Sequence, residues 1–142
     1  MDTATRIGVG RGLPDRSSLT LGVADLAVLA ALIVFGQRSH DISPVTDPVA
    51  SLETIVPFAI GWIVASSLVG LYGRGITTSV PRVARLTAVS WLAAANVGFI
   101  LRASPAFAGG APWTFTVVMT GTGLVALVGW RVIYATYANR SE

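Results

Sequence analysis

The chain has no cysteine, which excludes disulfides, thiolate metal sites, iron–sulfur clusters and cysteine nucleophiles together. Lysine is missing too, and all 10 basic residues are arginine. With a single histidine, His40, one copy cannot supply the two imidazoles that a membrane haem or a His-based metal site ordinarily takes, so neither a metal nor a cofactor is expected. Charged residues make up only 12% of the chain, where a soluble domain has about one quarter. Residues 54–73 and 103–130 carry no charged side chain at all. There is also no phosphate-binding glycine loop, nucleophile elbow, His-Glu-x-x-His segment or paired-carboxylate motif, and the glycines at 8, 10 and 12 precede an apolar run instead of following a strand. No catalytic residue is assigned, and an enzyme is the less favoured class.

What is present is apolar length: 53% of the 142 residues are hydrophobic. Apolar, uncharged stretches of about 18 residues or more span a bilayer as helices, and a soluble bundle would need a polar stripe on each helix that these stretches lack. The expected fold is therefore all-α, a bundle of four transmembrane helices over 18–36, 51–72, 83–101 and 113–137. A flexible tail over 1–17 precedes them and a short tail over 138–142 follows. Ser17 or Ser18 reads as an N-cap of the first helix and Gly36 as its terminator, while Gly73, Gly75, Pro81, Pro105, Gly109, Gly110 and Pro112 read as loop breakers. The first apolar run exceeds the roughly 7–15 residues of a secretory signal core and has no small-residue cleavage site after it, so it reads as a retained helix.

The arginines give an orientation. With the N-terminus inside, Arg6, Arg11, Arg16, Arg74, Arg82, Arg85, Arg131 and Arg140 fall on the cytoplasmic side and only Arg38 and Arg102 outside, which favours cytoplasmic N- and C-termini in the cell membrane. Tyr72, Tyr134 and Tyr137 read as inner boundary anchors and Trp113 as an outer one. The arginines are spread along helix flanks and not gathered on one element, so the net charge of +3 points to membrane orientation and not to nucleic acid.

A few polar residues stand where polarity is expensive. Asp25 lies seven residues into the first helix, about 10 Å below its boundary, where an unpaired carboxylate costs several kcal/mol. Arg131 lies at nearly the same depth in the last helix, so the two are expected to form an intramembrane ion pair, either a structural clasp or a relay. At the outer end Arg38, His40, Glu53 and Arg102 could form a polar vestibule, with a helix kink at Pro57 that frees the Glu53 carbonyl; the plainer reading is a solvated loop with weak pairs. Asn96 is expected to be a buried polar residue in the third helix, bonding between helices as Thr116, Thr120 and Thr122 do. Trp62 and Trp91 lie too deep for a boundary belt and should fill space. Small residues should form the helix contacts: Gly61 with Ala65, Ser66 with Gly70, Ala94 with Gly98, and Gly121, Gly123, Ala126 and Gly129.

The order of Asp25, Gly36-x-x-x-His40, Pro57-Phe58-x-x-Gly61-Trp62, Leu101-Arg102, Phe115-x-x-Val118 and Gly129-Trp130-Arg131 resembles the prokaryotic membrane family catalogued as domain of unknown function 3054, over about residues 18–135. The resemblance implies a four-helix membrane protein and carries no activity, substrate or cofactor with it. Two functional readings follow from the polar residues themselves. The first is a small transporter or channel subunit for an unidentified ion or small molecule, working as a homodimer or within a larger complex because four short helices enclose little room. The alternative is a non-catalytic assembly or accessory protein whose partners are the lipid bilayer and other membrane chains.

Overall fold

The computed structural model describes residues 16–72, 79–107 and 110–140. Within them lie four helices, α1 (Arg16–Arg38), α2 (Pro48–Val69), α3 (Val80–Ala103) and α4 (Trp113–Arg140). Each is long and apolar enough to cross a membrane, so the chain is an all-α, multi-pass membrane protein. Most of the expected N-terminal tail, the last two residues and Arg74 lie outside the described residues.

The helices pack in a ring in chain order. The α2–α3 interface is the most extensive, α3–α4 follows, and α1 closes the ring with lighter contacts to α4 and α2. Around the outside runs a coat of exposed apolar side chains, among them Val23 and Phe35 on α1, Leu68 on α2, Ile100 on α3 and Val125 and Ile133 on α4. In water such a surface would aggregate, whereas in hydrocarbon it is the solvated face.

The ends of the helices differ from the expected ones for local reasons. The first helix already includes Ser17 and Ser18, so neither caps it, and it passes through Gly36 to Arg38. It stops instead at a turn in which the amides of His40 and Ile42 both reach the Gln37 carbonyl, with Asp41 in the left-handed region at φ 59°. Helix α2 begins at Pro48, where the missing N–H of the first turn is harmless, and the Asp47 carboxylate accepts from the Ala50 amide at 3.1 Å. It ends at Gly70, whose φ of 81° glycine adopts without strain and which lets Leu71 N–H bond back to Ser66 O at 3.0 Å. Tyr72 is therefore off the helix. Pro81 is not a loop breaker but sits in the first turn of α3, and α2 continues across Pro57, which is buried.

Glycines let α2, α3 and α4 pack closely, against a backbone in one case and aromatic rings in two. A Cβ on Gly61 would collide with the Ala94 carbonyl, one on Gly98 with the Phe58 ring, and one on Gly123 with the Trp91 ring. Trp62 and Trp91 are fully buried between helices, as their depth required. Phe58 lies 5.3 Å from Phe99, 6.0 Å from Phe115 and 6.1 Å from Trp91, forming an aromatic cluster between α2, α3 and α4. By contrast, Gly121 and Gly129 have open space where a Cβ would go, and Gly70 is a cap, so these three are not packing glycines.

Candidate functional site

On α1 the residues Leu21, Asp25, Leu29, Ile33 and Gln37 are buried at four-residue spacing. The matching stripe on α4 is Met119, Gly123, Leu127, Arg131 and Ala135. Residues four apart share one helix face, so Asp25 and Arg131 are each carried inward by an otherwise apolar stripe. Because Asp25 is near the start of α1 and Arg131 near the end of α4, the antiparallel arrangement puts them at one depth. They meet in a two-pronged pair, Arg131 Nε to Asp25 Oδ1 at 2.9 Å and Nη2 to Oδ2 at 3.0 Å. Planar guanidinium and carboxylate suit this geometry. Among the described residues it is the one ion pair.

Two further side chains complete the site. The Tyr72 hydroxyl donates to Asp25 Oδ2 at 2.6 Å, and Trp130 Nε1 donates to Oδ1 at 2.9 Å. Trp62 in turn donates to the Tyr72 oxygen at 2.9 Å, and the Arg131 guanidinium lies 5.2 Å from the Tyr72 ring centre. Asp25 thus takes four donors and has 0% of its surface exposed. A carboxylate so coordinated is stable at a depth where a bare one would not be. Residues from α1, α4 and the turn after α2 are bound to one another through it. Tyr72 reaches it only because the Gly70 turn reverses the chain. It faces inward, not along the boundary where the sequence had placed it.

The expected outer vestibule is brought together only in part. Arg102 donates to Thr54 Oγ1 at 2.6 Å and to the Gly110 carbonyl at 2.8 Å, and its guanidinium lies 4.7 Å from the Phe115 ring centre. It ties α2, α4 and the α3–α4 connection together at the end of the bundle away from Asp25. Arg38 and His40 are exposed and Glu53 half-buried, and no ion pair among the described residues joins any of them to Arg102. Gln37 and Ser51 are buried nearby in sequence terms, with side-chain polar atoms that lack a partner among the described residues.

Asn96 is a correction. It is exposed on α3, and its Nδ2 donates to the Leu92 carbonyl of its own helix at 2.7 Å. The buried stripe of α3 runs through Thr87, Ser90, Trp91, Ala94, Ala95 and Gly98, and Asn96 is out of phase with it. The threonines of α4 likewise do not bond between helices through their hydroxyls: Thr116 and Thr122 bond back to Pro112 and Val118. The interhelical bond at this level comes from Trp91 Nε1 to the Thr120 carbonyl at 2.9 Å.

The family described as "Protein of unknown function (DUF3054)" matches residues 22–134. The chain belongs to this family. The matched span begins three residues before Asp25 and ends three after Arg131, so the DUF3054 unit contains the whole site, Tyr72 and Trp130 included. No curated protein and no solved structure matches the chain. Among the described residues of this DUF3054 chain, no three His, Cys, Asp or Glu side chains come together as metal ligands would.

Proposed function

We propose that the protein is a non-catalytic component of the cell membrane that holds a larger membrane assembly together, with both termini in the cytoplasm. The observation that carries this reading is the saturation of Asp25: four donors and no exposed surface make a clasp. A relay group would need a route to water or an idle lone pair. The orientation rests on the arginines, eight on the side assigned to the cytoplasm (6, 11, 16, 74, 82, 85, 131 and 140) and two on the other (38 and 102).

Each half has its test. Purification from native membranes in mild detergent should recover a partner at fixed stoichiometry, and recovery of the chain alone would overturn the assembly role. The chain has no cysteine, so a single thiol reports sidedness. An impermeant maleimide added to intact cells should label Ser39→Cys and leave Ser79→Cys untouched; the reverse pattern would invert the topology.

A small transporter or channel subunit is the second reading, and one observation favours it. Arg131 Nη1, Thr87 Oγ1 and Ser90 Oγ are buried without a partner among the described residues. Since Val83 packs with Ala135 and Trp91 with Gly123, Thr87 stands level with the stretch between Leu127 and Arg131. Idle hydrogen-bonding capacity of this kind suits water or a small polar solute. Flux into vesicles carrying the purified protein should then fall in Thr87→Val and Ser90→Ala, and flux indifferent to both would remove the reading.

A further inference from the structure

We infer that the outer face of α3 pairs with the same face of a second copy of this chain, with the two Asn96 side chains bonded to each other across a twofold axis. Midway between Arg85 and Arg102, which mark the two ends of α3 in the membrane, is the level of Ala93 and Ala94. Asn96 is within about 4 Å of it along the axis at about 1.5 Å per residue. It is exposed there, with Val89, Leu92, Ala93 and Ile100 exposed around it. Exposed hydroxyls at mid-helix spend their single hydrogen on their own helix, Ser67 on Ile63, Thr122 on Val118 and Thr136 on Val132. The amide has more to satisfy. One N–H goes to Leu92, which leaves the second N–H and Oδ1 turned toward hydrocarbon, where an unmet polar group costs several kcal/mol.

The occupant follows from the chemistry of the amide. A primary amide carries donor and acceptor on one plane, so two copies related by a twofold axis satisfy each other, which is the geometry of an isologous dimer. Ala93 beside it leaves room for close approach, Arg102 is turned to Thr54 and the Gly110 carbonyl, and Arg85, exposed on the same face, stands about 16 Å along the axis from Asn96, at the end of the helix. Elsewhere on the described helices the exposed amide is Asn139, which lies beside Arg140 at the end of α4 and not at mid-depth. On α1 the exposed positions Val23, Ala27, Ala31 and Phe35 are apolar, and the open glycines of α4 leave space without asking for a ligand.

The inference does not depend on the assembly reading, because its test uses purified chain in vesicles of phosphatidylcholine alone, with no other protein. Ala93→Cys keeps Asn96 intact and should give an oxidatively cross-linked dimer whose yield falls as lipid dilutes the chain. Val125→Cys and Phe35→Cys, on other faces, should not cross-link. Energy transfer between labelled copies should show association weakened about five- to tenfold in Asn96→Leu and largely retained in Asn96→Gln. Tryptophan emission should stay unchanged in both, as expected for an outward position. Equal cross-linking through Val125→Cys, an unchanged dissociation constant in Asn96→Leu, or a monomer at every lipid ratio would overturn it.

Discussion

The Tyr72 hydroxyl meets the Asp25 carboxylate at 2.6 Å across a separation of 47 residues, and it does so from outside any helix. The contact depends on the left-handed Gly70 turn, which sends the chain from the end of α2 back toward α1. A turn and an ion pair are thereby coupled: the clasp between the first and last helices also fixes how the second one ends.

Removing the Tyr72 hydroxyl should weaken both neighbours. In Tyr72→Phe, Asp25 loses one donor and Trp62 loses its acceptor, for a loss of about 1–3 kcal/mol. Thermal unfolding in detergent micelles reads the loss, and a shift in tryptophan emission reports the freed indole. An unchanged melting temperature would mean that the hydroxyl bonds contribute nothing net.

Gly70→Ala should act at a distance. The direct strain of a side chain at φ 81° is about 1 kcal/mol, but a shifted turn also withdraws Tyr72. Destabilisation should therefore fall by about half when Gly70→Ala is made in a Tyr72→Phe background, because the second effect is already absent. Simple additivity would separate the turn from the clasp.

The glycines divide into two classes by what surrounds them. Alanine at Gly61, Gly98 or Gly123 meets a backbone carbonyl, a phenyl ring or an indole ring, and each substitution should cost about 1–3 kcal/mol. Gly61→Ala should be the worst, since a carbonyl moves only with its helix. Alanine at Gly121 or Gly129 meets nothing and should be neutral or slightly stabilising through helix propensity. Unfolding of the five variants in one detergent checks the ranking.

Much of this was legible beforehand because the membrane makes polarity conspicuous. Asp25 and Arg131 stood out by depth alone, and the same reasoning matched them. Tyr72 was missed because it was assigned to the end of α2. The signal lies in Ser66-x-x-x-Gly70 followed by Leu71, a glycine placed to end a helix, which the nearby Gly73 obscures. Trp130 was seen only as part of a motif, since nothing in the sequence tells which way an indole N–H points. Asn96 was placed inside on polarity, although the spacing of Thr87, Ser90, Trp91, Ala94 and Gly98 already marked a different inward face. No ion pair among the described residues joins Arg38, His40 or Glu53 to Arg102, because Arg102 reaches Thr54 and Phe115, uncharged partners that ionisable residues alone do not reveal.

Arg102→Lys should be poorly tolerated for the same reason. A lysine keeps the charge but loses the planar contact with Phe115 and the paired reach to Thr54 and Gly110. A loss of about 1–2 kcal/mol is expected, with greater protease sensitivity in the α3–α4 connection. Equal stability of the lysine variant would show that charge alone suffices at this corner.

The most direct measurement is a double-mutant cycle on Asp25 and Arg131, read as unfolding free energy by dodecyl sulfate titration in mixed micelles. Asp25→Leu or Arg131→Met alone leaves a buried charge without its partner and should destabilise by about 3–5 kcal/mol, while the two together should lose clearly less than the sum of the single losses, the remainder being the Tyr72 and Trp130 donors left without Asp25. Single losses that simply add, or an Asp25→Leu protein that unfolds no earlier than the native chain, would contradict a clasp between α1 and α4.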